Sequence, residues 1–364
     1  MSSNRRGYLC NMSGGAIPPL PNRILSTQFA NKFGSFKTTV LNDATTSRNF
    51  TTSHQIRTLA WSPLGQYIAT GSGDRTLRIW NPERPNVKYS TELRGHQGAI
   101  ERVAFNPTKV SELATCSSDG TVKIWDMKTA TAVGEVKAGG DCFSLAWHPF
   151  GKGLLLGRKV TRGPAELHDV AKQHCLTQDD HLLAIEYPSL NILSTEKQPT
   201  QTNQGVFTWV GNHVFVTDGK GQIKWLRWPS LEHVYTVEAH SAPLFAADMS
   251  PNGDFLAVGG SDSIITLWDY TEWFCKRSFS KMTGPVKTIS FSWDSAYIVG
   301  GSDEGTGLEI ADVYSGEYVH HVDTGNVASA PVVQWSPRNY HLAYSWGEGT
   351  GGLRVIGNID QKAT

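Results

Sequence analysis

The segment SSDGTVKIWD, from Ser117 to Asp126, sets an acidic turn six residues ahead of a tryptophan and follows that tryptophan with a second aspartate. It has relatives in GSGDRTLRIWN, with Asp74, Trp80 and Asn81, and in GSDSIITLWDY, with Asp262, Trp268 and Asp269. A second marker recurs upstream of each: an alternating strand that ends in an anchor residue, as in LAWSP (Trp61), VAFNP (Phe105), LAWHP (Trp147), ADMSP (Met249), ISFSW (Phe291) and VQWSP (Trp335). Successive anchors lie 44, 42, 102, 42 and 44 residues apart, so the long interval holds two periods plus an insertion, and the chain carries seven copies. A unit this short cannot bury its apolar faces alone, so the copies must pack on one another.

Short strands and turn residues repeating in the low forties resemble the WD40 repeat, in which four strands form each blade around a central channel. The expected fold is all-β, a seven-bladed WD40 β-propeller with a disordered basic N-terminal arm. The spacing of His54, Thr70, Asp74 and Trp80, repeated as His96, Thr115, Asp119 and Trp125, is similar to the family's hydrogen-bonded set. The resemblance implies that the turn aspartate accepts from the histidine, the histidine bonds the hydroxyl, and the hydroxyl accepts the indole N–H. A buried indole has only a donor and needs such an acceptor. His240, Asp262 and Trp268 keep the pattern, but Val258 stands in the hydroxyl position, and a later copy has Asp303 with Val299 and Ala311. Those blades are expected to rely on packing.

The predicted organisation is an arm over residues 1–47, the propeller over 48–358 and a tail over 359–364. The first fifty residues are rich in Pro, Ser, Thr, Asn and Gly and carry six basic residues against one acid, Asp43. A propeller closes by sharing one blade between its termini, which removes an open edge, so a strand around Arg48 to Ser53 is expected to complete the last blade. Between Arg158 and Gly205 the pattern fades, and a polar insertion is predicted at about 194–205.

Composition narrows the partners. Lysine plus arginine equals aspartate plus glutamate, 33 against 33, so no global field favours nucleic acid or membrane. The five cysteines are widely spaced and never form C-x-x-C, which points to reduced thiols in a cytosolic or nuclear setting and to no zinc site. No signal peptide precedes the repeats, and no run nears the ~20 apolar residues that span a bilayer. A soluble intracellular protein is expected. The search for chemistry assigns no catalytic residue, cofactor or metal: the Ser, His and Asp residues fall in the blade networks, GKG at 151–153 reads as a turn, and His320 and His321 point to opposite faces of a strand.

The informative surface is the channel mouth. In propellers of this kind the fourth residue before each anchor, and the second before that, face the narrow opening. The candidates for protein binding are Arg57, Glu101, Phe143, Phe245 and Lys287, with Asp141 from the second set. Two aromatics between charges of both signs suit a protein hot spot better than a phosphate backbone.

A finer resemblance lies in CKRSFSKMTGPVKTISFSWDSAYIVGGSDEGTGLEIADVYSGEY, Cys275 to Tyr318, where Ile310-Ala311-Asp312 replaces the usual Trp-Asp ending, and in the Trp-Pro-Ser-Leu turn ending at Leu231. These passages are similar to the WD-repeat subunit of the THO complex, over about residues 54–357. The resemblance implies a non-catalytic nuclear subunit that docks on the large helical THO scaffold, in an assembly that brings a DEAD-box RNA helicase and an RNA export adaptor to transcripts for mRNA export. RNA contact by this chain would fall to the basic arm, which together with the 194–205 stretch has no counterpart in that family. Two alternatives stay open: a substrate receptor of a cullin-type ubiquitin ligase, suggested by IWDMK at 124–128, where Lys128 stands in place of an arginine, and a histone-peptide reader at the channel mouth.

Overall fold

The computed structural model describes residues 22–41, 55–84, 90–162, 177–305, 307–324, 332–346 and 352–358. Within them lie seven four-stranded antiparallel sheets. Six sheets are consecutive in sequence, spanning 56–94, 100–137, 141–198, 202–238, 244–279 and 286–323, and are numbered here as blades 1 to 6. Blade 7 combines three strands from 333–357 with one strand from the N-terminal side. The innermost strands touch in a closed ring, with blade 1 against blade 7.

Burial falls from the hub to the rim, and the residue pattern follows it. Second strands such as Ile68–Ser72 and Tyr297–Ser302 are buried at every position because blades pack on both faces. Outermost strands such as Ile192–Gln198 and His233–Glu238 are mostly exposed and correspondingly polar. The blades also clasp one another near the hub. Thr58, Ser144 and Ser290 hydroxyls accept the N–H groups of Val103, Gly205 and Trp335 in the next blade. Asp248 accepts from Phe291, and Gln334 from Trp61 across the closing junction, each at 2.9 Å. The Trp147 indole donates to the Ala104 carbonyl, and the Gln204 amide to that of Ala247, so all seven junctions carry a polar link.

Three expectations about the chain's organisation are corrected. The strand that closes blade 7 is Lys37–Leu41, paired antiparallel to Gly352–Gly357, and not the stretch 48–53, which lies outside the described residues. The arm is therefore structured from residue 22: a helix at Ser26–Gly34 precedes that strand and buries Phe29 and Phe33 completely among Tyr297, Trp335 and Tyr340. Residues 1–21 of the expected arm and the tail 359–364 lie outside the described residues. The predicted insertion at 194–205 is likewise absent: Ile192–Gln198 is the outer strand of blade 3, and Thr202–Phe207 opens blade 4. Polar character there reflects an exposed edge strand. The extra length sits between the paired strands Gly153–Arg162 and Thr177–Glu186, with 163–176 outside the described residues.

Candidate protein interface at the channel mouth

The histidine networks fix the blades that present the mouth. In blade 2, His96 Nδ1 lies 3.0 Å from Asp119 Oδ2, its Nε2 lies 2.7 Å from Thr115 Oγ1, and the Trp125 indole donates to that same hydroxyl at 2.8 Å. Burial lowers the His96 pKa and keeps the imidazole neutral, against the opposing pull of Asp119. Burial alone would raise the Asp119 carboxyl, but hydrogen bonds from Thr121, the Gln97 N–H and His96 outweigh it and bring it to about 2. With Thr115 fully buried and its hydroxyl already shared, nothing can approach it as a nucleophile.

Other blades vary this theme. In blade 1 the Trp80 indole donates to Thr70 at 2.8 Å, and Asp74 is held by Arg78 at 2.7 Å; His54 lies outside the described residues. In blade 5 His240 bonds Asp262 and Thr266, each at 2.8 Å, and the Trp268 indole also donates to Thr266. The expectation that blade 5 lacks a hydroxyl is thus corrected. Val258 and Thr266 face each other across two paired strands, so the hydroxyl has moved to the opposite residue. Blade 4 substitutes a buried ion pair, Lys224 to Asp218 at 3.2 Å. Burial pushes the Cys116 and Cys142 thiols up, the latter to about 12, so neither supplies a thiolate at neutral pH.

The inner strands share a repeated irregularity. In six inner strands the register shifts by one residue near the start, between Ile56 and Thr58, Ile100 and Arg102, Cys142 and Ser144, Thr202 and Gln204, Leu244 and Ala246, and Val286 and Thr288. The residues left over are Arg57, Glu101, Phe143, Asn203, Phe245 and Lys287. A bulge re-aims the side chain of its extra residue, and five of these six residues are ones named from the repeat as candidates for the mouth. Asn203 was missed because blade 4 lacks the aromatic-Pro anchor, although Phe207 sits four residues beyond it, as the other anchors do.

Neighbours in the ring interact. Arg57 and Glu101 form an ion pair between blades 1 and 2. Lys287 lies 4.5 Å from the Phe245 ring centroid and 3.5 Å from Asp303. Lys159 lies 5.2 Å from the Phe143 centroid, and Gly157 is required beneath that ring, since a Cβ there would come within 2.7 Å of it. Asn203 donates to the Leu244 carbonyl. Asp141 is exposed at the start of its strand, and Phe143 and Phe245 stand two blades apart with Asn203 between them. The mouth is thus a charge-balanced rim with two lysine-covered aromatics. Among the described residues no group of three His, Cys, Asp or Glu side chains could hold a metal ion, and no helix is long and apolar enough to cross a membrane.

Ring closure through a shared blade makes the chain a seven-bladed β-propeller, and the family model "WD domain, G-beta repeat" matches residues 45–81, 87–126 and 231–269, within which the histidine, hydroxyl and indole networks lie. The chain is similar to THO complex subunit 3 of Arabidopsis thaliana, 29% identical over 293 residues that cover 80% of this chain and 86% of the relative. The THO resemblance read from blade 6 therefore extends over most of the propeller. WD repeat-containing protein AAC3 of Dictyostelium discoideum is 26% identical over 312 residues, covering 79% of this chain and 60% of that protein. Among solved structures, the β-propeller domain of Myceliophteria thermophila Cps50 (Swd1) superposes with a TM-score of 0.69 over 85% of this chain and 98% of that one, at 16% identity, a likeness of fold.

Proposed function

We propose that the chain is a non-catalytic scaffold subunit of a nuclear THO-type assembly that supports mRNA packaging and export, docking through its channel mouth on the large helical THO scaffold. The single observation that carries this reading is the similarity to THO complex subunit 3 over four-fifths of the chain. A disk of packed blades with a rim of aromatic and charged side chains suits protein docking rather than chemistry. Contacts with the helicase and the export adaptor would then be indirect, through the scaffold.

The ligase and histone-reader alternatives draw less support. Lys128 stands where the ligase docking box takes arginine, and a cation from a histone tail would have to displace Lys159 or Lys287 from the aromatic faces. The test is quantitative binding of the full chain to the helical scaffold with Phe143→Ala and Phe245→Ala. The double change is expected to weaken binding about tenfold or more while the melting curve holds. Unchanged binding would remove the mouth from the docking surface.

A further inference from the structure

The groove between neighbouring blades, on the side where the turn from third to fourth strand falls, is plugged at five successive junctions. At the junction of blades 2 and 3, Tyr187 packs against Trp147 and bonds Glu112. At the next, Trp228 packs on Phe207 and His148. Trp273 stacks on Trp225 and Phe215 of blade 4, and Tyr314 packs on Phe255 of blade 5. At blades 6 and 7 the plug is the N-terminal helix, with Phe29 on Tyr297 at 4.0 Å and Phe33 against His320 at 5.4 Å.

The junction of blades 1 and 2 differs. The plug-bearing turn of blade 2 is Met127-Lys128-Thr129-Ala130, with no aromatic, and a cleft of about 720 Å³ opens there, lined by Tyr67, Ile79, Thr91, Val110 and Met127. Its walls match the helix seat position by position. Strand pairing aligns Ile79 with Ile310 and Thr91 with His320, and Tyr67 stands one residue before Ile68 as Tyr297 does before Ile298. Where the seat has Tyr340, two residues before Leu342, the cleft has Ser111, two before Leu113, which leaves more room. The charge is inverted. The seat holds Asp294 beside Arg23 of the basic N-terminal segment, whereas the matching turn residue in blade 1 is Leu64, and Lys109 and Lys128 border the cleft.

We propose that this cleft is a docking site for an acidic amphipathic helix of a partner protein, which presents two large apolar side chains four positions apart as Phe29 and Phe33 do. Tyr67 and Val110 receive the apolar pair, and Lys109 and Lys128 face the flanking carboxylates. Lys109 already bonds Glu112 and Tyr187, so Lys128 is the stronger determinant. The site is separate from the channel mouth and does not depend on which assembly the chain joins.

The test is fluorescence anisotropy on the full chain with three labelled helical peptides: two phenylalanines four apart flanked by glutamates, the same flanked by lysines, and the glutamate peptide with alanines for the phenylalanines. Saturable micromolar binding of the first is expected, at least about tenfold tighter than the other two. Val110→Asp with Met127→Asp should abolish it. Lys109→Glu with Lys128→Glu should transfer the preference to the lysine peptide, and it decides the matter if the first pair fails to fold. Absence of saturable binding, equal binding of the alanine peptide, or indifference to the charge swap would overturn the proposal. So would preference for the lysine peptide by the unaltered chain, with concentration-dependent dimerisation, which would assign the cleft to a second copy's N-terminal helix.

Discussion

Thr115 and Thr266 are the residues on which their blades turn, because each hydroxyl serves a histidine and an indole at once. Thr115→Val and Thr266→Val leave two buried polar groups short of a partner, and each is expected to cost about 1–3 kcal/mol in chemical denaturation. Trp125→Ala removes a large buried ring as well and should cost about 3–5 kcal/mol. Acid should act on the same group. Both His96 and Asp119 hold protons more weakly folded than unfolded, so each contributes stability that is lost on acidification. The His96 share begins to go below its ordinary value of 6.5, and the Asp119 share goes between 3.8 and about 2. Calorimetry between pH 7 and pH 5 should therefore show a shallower fall in melting temperature for His96→Asn than for the unaltered chain; parallel slopes would exclude His96 as a titrating group. The Thr115 network was legible through the resemblance of its spacing to the WD40 set. The Thr266 version was not, since recognising it requires knowing that Val258 and Thr266 are cross-strand partners.

At the scale of elements, closure decides stability. The strand Lys37–Leu41 completes blade 7 by covering the edge of Gly352–Gly357, and it does so with one core residue, Leu41. Deletion of residues 1–41 is expected to expose the edge at Gly352–Gly357 and cause aggregation, which size-exclusion chromatography would register. Phe29→Ala should cost about 3–5 kcal/mol by emptying a pocket among three aromatic rings. Neither element was legible beforehand, for physical reasons. The helix has nine residues, no side-chain cap and only two buried positions, so its order comes from docking and not from propensity. The strand finds its partner more than 300 residues away, a pairing that no local pattern encodes. The polar run at 192–198 misled in the opposite sense, because an outer strand exposed on both faces has the composition of a loop.

For the molecule as a whole, the number of blades was legible because the anchor spacing counts them even where one copy has lost its motif. Five of the six bulge positions fall on residues named from the repeat, since a bulge four residues ahead of an anchor keeps its place in it; Asn203 escaped with the anchor of its blade. The cleft between blades 1 and 2 was not legible, because it is defined by comparison with a helix whose seat only the folded chain reveals. The measurement that bears most directly on the central claim is quantitative mass spectrometry of a tagged copy recovered from nuclear extract after nuclease treatment and a moderate-salt wash. Stoichiometric recovery of the large helical THO subunits is the expected result. Their absence, with a ligase adaptor or histones recovered instead, would contradict it.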